Sequence, residues 1–275
     1  MTDQGVFTRR VAPTDVRRLM WASALAYVVA QMAVVLLHEG AHTITGVLQG
    51  LRAIQFTGEV RFDPDPGGLT LVWRALAGPL FSLASGALLA LMRPWHGDGF
   101  GRLLTTWFAF LSMQEGLGYL IVAPVLRAGD TGAALAELNA PWIAYAASVA
   151  VGVAGMFWLA SRCAIEGVEL TRDLNEMRAF CVWGWLIGTA GSLVLAAAAL
   201  ALTPGTDGGA AVGIMVGAST LGVFAPMAML FWVRAGRDRS TVRRVTATIP
   251  RWAWAVLAAG IVLNLVVLPR GISVG

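Results

Sequence analysis

The chain has 275 residues, of which 57% are hydrophobic and only 13% are charged, and its formal net charge is +4. Its mean hydropathy is +0.69. Soluble globular proteins carry about 25% charged residues, so this composition excludes an ordinary soluble domain, a disordered chain and a nucleic-acid-binding module. The sequence predicts an integral membrane protein that crosses the bilayer several times.

Seven apolar runs have, or approach, the roughly 20 residues that a membrane-spanning helix needs. They are residues 19–48, 76–92, 103–126, 142–160, 180–202, 210–233 and 252–268. The basic tail 1–18 precedes the first run, and no cleavage pattern follows it, so we expect an uncleaved signal-anchor helix. The N-terminal tail and every second segment between the runs together hold 15 of the 20 basic residues, all of them Arg. This bias predicts a cytoplasmic N-terminus, and the absence of Lys favours a bacterial cell membrane.

The first run contains the sequence His38-Glu39-Gly40-Ala41-His42. In a helix, side chains four residues apart lie on one face, so His38 and His42 can bind the same zinc ion. Glu39 can then act as a general base on a water molecule at the metal. Ionisable side chains are costly inside a membrane and are usually functional there. The pattern therefore predicts one Zn²⁺ site with a catalytic Glu39.

A β-hairpin is predicted between the first two spans, over residues 51–73. Residues 54–62 alternate between apolar and polar side chains, which indicates a strand. A cluster of Asp, Pro and Gly at 63–68 predicts a turn, and 69–73 predicts a returning strand. The edge of such a hairpin can hold an extended substrate segment, and Ile54, Phe56 and Gly58 are the candidate contacts. A surface loop that closes the cavity explains the same residues equally well.

A catalytic zinc needs a third protein ligand. His96 and Asp98 lie in a Pro- and Gly-containing turn, where solvated side chains are the simpler interpretation. Glu115 lies in the middle of the third run, so it is a ligand, a partner of a ligand or a helix-packing residue. Asp130 follows that run between two glycines and is either a ligand or the N-cap of a short helix over 131–138.

Residues 142–275 predict an accessory region of four membrane helices with few chemical signals. Its Gly, Ala and Ser residues suit close packing between helices. Cys163 and Cys181 have no CxxC spacing and are interpreted as small apolar residues. The charged segment 161–178 predicts a solvated linker. The fold class is thus an all-α polytopic membrane protein with about seven spans and a small hairpin.

Several of these features together resemble the site-2 protease family of intramembrane zinc metalloproteases, in particular its short bacterial branch without a PDZ domain. The shared features are HExxH in the first span, the hairpin, Ala77-Gly78-Pro79 opening the second helix and a Gly-flanked Asp after the third. The resemblance covers about residues 19–140, which makes 19–141 the metalloprotease-like core. It implies that Asp130 is the third zinc ligand.

The resemblance also implies hydrolysis of peptide bonds in transmembrane protein substrates, within the bilayer. The first alternative is a membrane protein that binds the metal but is catalytically silent. The second is a transporter that uses Glu115 as a proton or cation site. The sequence predicts that the protein has no nucleic-acid partner, and it does not indicate an oligomeric state.

Overall fold

The computed structural model describes residues 13–92, 99–126, 129–205, 222–236 and 247–275. The described chain is mostly helical. Its longer helices are α1 (Pro13–Leu48), α2 (Gly68–Leu91), α3 (Phe100–Leu126), α5 (Trp142–Leu170), α7 (Gly184–Leu202) and α10 (Arg251–Val262). Shorter helices are α4 (Asp130–Glu137), α6 (Leu174–Arg178), α8 (Phe224–Met227) and α9 (Trp232–Gly236). A π-helical turn, Ala179–Trp183, joins α6 to α7, and another, Leu263–Val267, extends α10.

Five helical segments among the described residues are long and apolar enough to cross a membrane, which indicates a multi-pass membrane protein. They are Asp15–Leu48, Gly68–Leu91, Trp142–Leu170, Leu174–Leu202 and Arg251–Arg270. The third predicted run forms the 27-residue helix α3, which carries Gln114 and Glu115 in its middle and is not one of these five. The first half of the sixth predicted run, residues 210–221 of 210–233, lies outside the described residues.

Helix α1 lies at the centre of the molecule. In its most apolar window 67% of the residues are buried inside the protein, against 17–28% in the other four candidate spans. Its Ser23 accepts a hydrogen bond from Trp107 Nε1 (2.9 Å) and donates to the carbonyl oxygen of Phe180 (2.9 Å). Phe180 lies in the π-helical turn, where a carbonyl can lose its intrahelical partner. One buried hydroxyl thus links α1, α3 and this turn.

The structure has a β-hairpin between the first two long helices, as predicted, but its strands have different bounds. Strands β1 (Arg52–Gln55) and β2 (Val60–Asp63) pair antiparallel, with Ile54 opposite Arg61. The predicted single strand 54–62 is therefore divided by a turn, which the bond from Phe56 N–H to the Glu59 carbonyl closes (2.9 Å). A third strand, β3 (Ile272–Val274), pairs with the other edge of β1, so the sheet order is β2-β1-β3.

The predicted returning strand 69–73 is instead the first part of α2. The buried residues of this helix recur at intervals of three and four, as one helical face requires. They are Val72, Ala75, Gly78, Pro79, Ser82 and Gly86. Leu69 and Trp73, which are four residues apart, are 67% and 62% exposed on the face that lipid would cover. Gly78 and Pro79 consequently lie inside α2 and do not open it, contrary to the prediction.

The predicted solvated linker 161–178 is also mostly ordered helix. Helix α5 continues to Leu170, and Glu176 in α6 is buried and receives a hydrogen bond from the Arg172 backbone (2.7 Å). Arg102 at the start of α3 is buried and pairs with Glu169 (2.8 Å). The charges at 161–178 are thus largely satisfied by protein partners, and they bring the start of α3 and the end of α5 to the same end of the bundle.

Candidate metal centre

The two histidines of the HExxH sequence lie on one face of α1. His38 is 1% exposed and His42 is 5% exposed. Their Nε2 atoms are 3.1 Å apart, and the ring planes are inclined by 75°. The i, i+4 spacing that the sequence contains therefore brings two imidazole nitrogens to one point inside the protein.

Asp130, on a different helix, brings a third polar side chain to the same place. It is the first residue of α4, and Gly129 before it has a φ of +79°, a conformation that favours glycine. Asp130 Oδ2 lies 3.0 Å from His38 Nε2 and 3.1 Å from His42 Nε2. The predicted short helix exists, but Gly129 and not Asp130 is its N-cap, and the Asp130 carboxylate faces the imidazoles.

The three ligand atoms form a nearly equilateral triangle that suits one metal ion. Their mutual distances are 3.0, 3.1 and 3.1 Å. In a tetrahedral zinc site, bonds of about 2.0–2.2 Å place ligand atoms roughly 3.3–3.6 Å apart, a few tenths of an ångström wider than observed here. His38, His42 and Asp130 are the group among the described residues that can hold a metal. Two imidazoles and one carboxylate leave one tetrahedral position for water or substrate.

The other ring nitrogens of the histidines are held by α2. His42 Nδ1 lies 2.7 Å from the carbonyl oxygen of Arg74, which can only accept, so Nδ1 carries the proton. A neutral His42 therefore directs the lone pair of Nε2 at Asp130 Oδ2, and two acceptors at 3.1 Å repel unless a cation or a proton lies between them. Backbone carbonyls orient metal-binding histidines in this way in many proteins.

His38 is oriented by two different side chains. Its Nδ1 lies 3.1 Å from Ser82 Oγ on α2. The ring of Tyr119 on α3 stacks on it, with centroids 5.3 Å apart and planes inclined by 12°. Tyr119 also lies beside Gly129, where an added Cβ would be 3.1 Å from the Tyr119 ring. Tyr119 thus fills the space between His38 and the turn that carries Asp130.

Gly78 provides the space that the two imidazoles occupy. A Cβ at this position would lie 2.4 Å from His42 Nε2 and 2.6 Å from His38 Nε2, closer than any side chain could tolerate. The glycine is buried in the middle of α2. The sequence predicted Gly78 at the opening of the second helix and not at the site. The repeating three- and four-residue spacing of small residues along α2 is the signal that could have placed it there.

The charge at the centre is fixed in part by Asp130. Desolvation would raise the pKa of the Asp130 carboxyl, but the nearby imidazoles of His42 and His38, when protonated, outweigh this effect and hold that pKa well below its usual range. Its side chain is 24% exposed, against 2% for His38 and 6% for His42. Asp130 is therefore the least buried of the three side chains.

Two acidic residues lie near the centre without contributing to the triangle. Glu39 is 7% exposed, and its backbone carbonyl accepts a hydrogen bond from Thr43 (3.0 Å). Glu115 has one carboxylate oxygen, Oε2, that is buried without a hydrogen-bond partner among the described residues. His96 and Asp98, the other ligand candidates, lie outside the described residues.

The candidate substrate contacts lie on and beside β1. Ile54 is 38% exposed, Phe56 is 7% exposed, and Gly58 is in the turn before β2. Gln55 Oε1 accepts a hydrogen bond from the Thr43 hydroxyl (3.1 Å), one residue beyond His42. The sheet is therefore attached directly to the helical turn that carries the metal ligands.

Comparisons of the chain with protein-family models, with curated proteins and with solved structures found no match.

Proposed function

We propose that the protein is a membrane-embedded zinc metalloprotease of the site-2 type, which hydrolyses peptide bonds of transmembrane protein substrates. The observation that carries the proposal is the triangle of His38 Nε2, His42 Nε2 and Asp130 Oδ2, with sides of 3.0–3.1 Å. It lies on a central helix of a protein with five candidate membrane spans.

The donor set favours zinc among the divalent metals. Two imidazole nitrogens and a carboxylate oxygen are typical of catalytic zinc, whereas Mg²⁺ and Ca²⁺ prefer oxygen ligands. The hydrogen bond between His42 and the Arg74 carbonyl (2.7 Å) keeps the imidazole in the tautomer that a metal requires. When bound, zinc supplies Lewis-acid activation of water and of the scissile carbonyl.

Glu39 is the proposed acid–base residue, because it adjoins His38 on the same helical turn and is buried. Its carboxylate would remove a proton from the attacking water and return that proton to the leaving amide nitrogen. Asp130 and the two histidines hold the centre in place. The partly exposed side chain of Asp130 marks the side from which water enters.

The proposed membrane arrangement has about seven spans, with α3 as a polar span inside the bundle. Arg102 in α3 is buried and pairs with Glu169 near the end of α5 (2.8 Å), and this contact supports a position of α3 among the other helices. The proposal includes a bacterial cell membrane and a cytoplasmic N-terminus. The cytoplasmic N-terminus follows from the distribution of the Arg residues between the spans, and the bacterial membrane from the absence of Lys.

The test combines metal analysis with detection of cleavage. Wild-type chain purified in detergent should contain about one zinc ion per chain, and cells that produce it should contain new peptide termini within transmembrane segments. Glu39→Gln should retain the zinc and abolish these termini. His38→Ala should lose both.

An exposed acid provides the matched control, since Asp65→Asn should retain zinc and cleavage. Wild-type protein without zinc, even after zinc is added, would contradict the proposal. Zinc without any difference in termini between wild type and Glu39→Gln would favour the catalytically silent protein.

A further inference from the structure

Strand β3 occupies the edge of β1 where an extended substrate could pair. The pairing is antiparallel, with Ala53 opposite Val274, Ile54 opposite Ser273 and Gln55 opposite Ile272. Since β2 pairs with the other edge of β1, both edges of the central strand are taken. An added strand can reach β1 only after β2 or β3 has left.

The strand β1 is held firmly beside the metal centre. Ala53 is fully buried. Gln55 accepts a hydrogen bond from Thr43 on α1 (3.1 Å), and Thr43 follows His42 directly in the sequence. A peptide paired with β1 would therefore lie next to the helical turn that carries the ligands.

In contrast, β3 is held weakly. All three of its residues are exposed, with Ile272 at 39% and Val274 at 38%. The chain just before it is anchored, since Leu268 is 1% exposed and Pro269 is also buried. Gly271 separates the anchor from the strand and has a φ of +77°. An element with few buried apolar contacts opens at low free-energy cost.

We propose that β3 is an internal competitor of the substrate: it pairs with β1 in the resting protein and is displaced by an extended segment of the substrate. This inference rests on the proposed function and names how access to that site is regulated. Exchange of one strand for another conserves the backbone hydrogen bonds of β1. The sequence of β3, Ile-Ser-Val, indicates that the favoured segment is extended and rich in β-branched residues.

Ile272–Val274 opens by rotation at Gly271. An added Cβ at Gly271 would lie 2.7 Å from Ile54 Cγ2 and 3.1 Å from the Phe56 ring. A valine there would both clash with β1 and disfavour the positive φ. Because Phe56 N–H bonds to the Glu59 carbonyl on the side of β2, Ala53 directs its backbone groups to β3, and Val274 opposite it uses its own N–H in the pairing. Gly271→Val and Val274→Pro therefore release the strand by independent routes, the second because proline lacks this N–H.

The experiment measures in-register pairing by thiol exchange. Ile54→Cys places a thiol opposite position 273. The probe is a synthetic peptide that copies residues 268–275, has cysteine in place of Ser273 and carries that cysteine as a 2-pyridyl disulfide. The protein thiolate attacks the peptide sulfur, which forms the mixed disulfide and releases 2-thiopyridone. The natural Cys163 and Cys181 are buried.

In the Ile54→Cys protein, β3 should protect the thiol from the peptide. Adding Gly271→Val or Val274→Pro should raise the reaction rate at least about tenfold, as expected if the edge is free less than about a tenth of the time in the parent. The matched control peptide has its cysteine at position 272, which points to the other face of the strand, and should react much more slowly. Rates are normalised to those with 2,2′-dithiodipyridine.

Equal peptide rates with and without the second substitution would overturn the proposal, and so would equal rates for the two peptides. A melting curve for each variant shows whether it is folded, and the two releasing substitutions need only agree in direction. The measurement uses chelator-treated protein and no cleavage. A negative result in the thiol-exchange experiment would therefore not contradict the proposed protease activity. A negative result in the zinc or Glu39→Gln tests would likewise not change what the thiol-exchange rates say about β3.

Discussion

Gly78 lies against His42 so closely that a Cβ at position 78 would be 2.4 Å from His42 Nε2. The absence of a Cβ at Gly78 therefore leaves the space that the imidazole rings of the metal centre occupy. Because Gly78 is in the interior of α2, where glycine destabilises a helix by about 0.5–1 kcal/mol relative to alanine, its presence there favours the site over the helix.

Gly78→Ala should displace the imidazoles and reduce the zinc content of the purified protein toward zero. Elemental analysis after detergent purification measures this. Gly101→Ala is the matched control, because a Cβ at Gly101 would meet no atom within 4 Å, and it should keep the zinc. Full zinc content in Gly78→Ala would mean that the two rings do not bind the metal in the observed positions.

Asp130→Asn should also abolish zinc binding, although asparagine has nearly the same shape. The substitution removes the negative charge that lies 3.0 Å from His38 Nε2 and 3.1 Å from His42 Nε2, and an amide is a poorer zinc ligand than a carboxylate. Zinc titration monitored by calorimetry is suitable. Unchanged affinity would assign the third ligand elsewhere, with Glu115 as the first residue to test.

Ser82→Ala should weaken zinc binding by about 10–100-fold, the usual effect of removing a partner that orients a metal-binding histidine. Ser82 Oγ lies 3.1 Å from His38 Nδ1. Ser85→Ala is the control in the same helix, since Ser85 bonds to Ser112 (2.9 Å). Competition with a chelator of known affinity measures both variants. Equal losses in the two would indicate a general effect on α2.

Ser23→Ala should lower the free energy of unfolding by about 1–3 kcal/mol, because Trp107 Nε1 and the Phe180 carbonyl would lose a buried partner. Both bonds are 2.9 Å long. Unfolding in mixed detergent micelles measures the change. Ser161 lies on an exposed part of α5, and its hydroxyl bonds to a carbonyl of its own helix. Ser161→Ala should therefore change the free energy of unfolding by less than about 0.5 kcal/mol. A comparable loss there would refute the specific role of Ser23.

The parts of the site that were predictable from sequence are those whose residues lie close together in the chain. His38 and His42 are four residues apart, and helix geometry alone places them together. Asp130 is 92 residues from His38, so only a family resemblance connected them, and the structure brings them within 3.0 Å. The Arg74 carbonyl could not be predicted, because a backbone acceptor has no residue type that marks it.

The fold shows the same division. Long apolar runs predicted α1, α3 and α5, since burial in lipid needs a length that the sequence displays. The start of α2 was missed because residues 69–73 follow a turn cluster and are too few to show whether their apolar side chains repeat with the spacing of a helix or of a strand. Strand β3 has three residues, which is too few for any alternating pattern, and its partner β1 is more than 200 residues earlier.

Helix α1 has 36 residues, about 54 Å of helix, whereas the hydrocarbon layer is about 30 Å thick. His42 is six residues and His38 is ten residues before Leu48, the last residue of the helix and the one next to the sheet. The metal centre is thus about 9–15 Å from that end. If the protein is the protease proposed above, a substrate segment aligned with α1 would be cut about two to three helical turns from the sheet end of α1 and much farther from its other end, so the two products would differ in length.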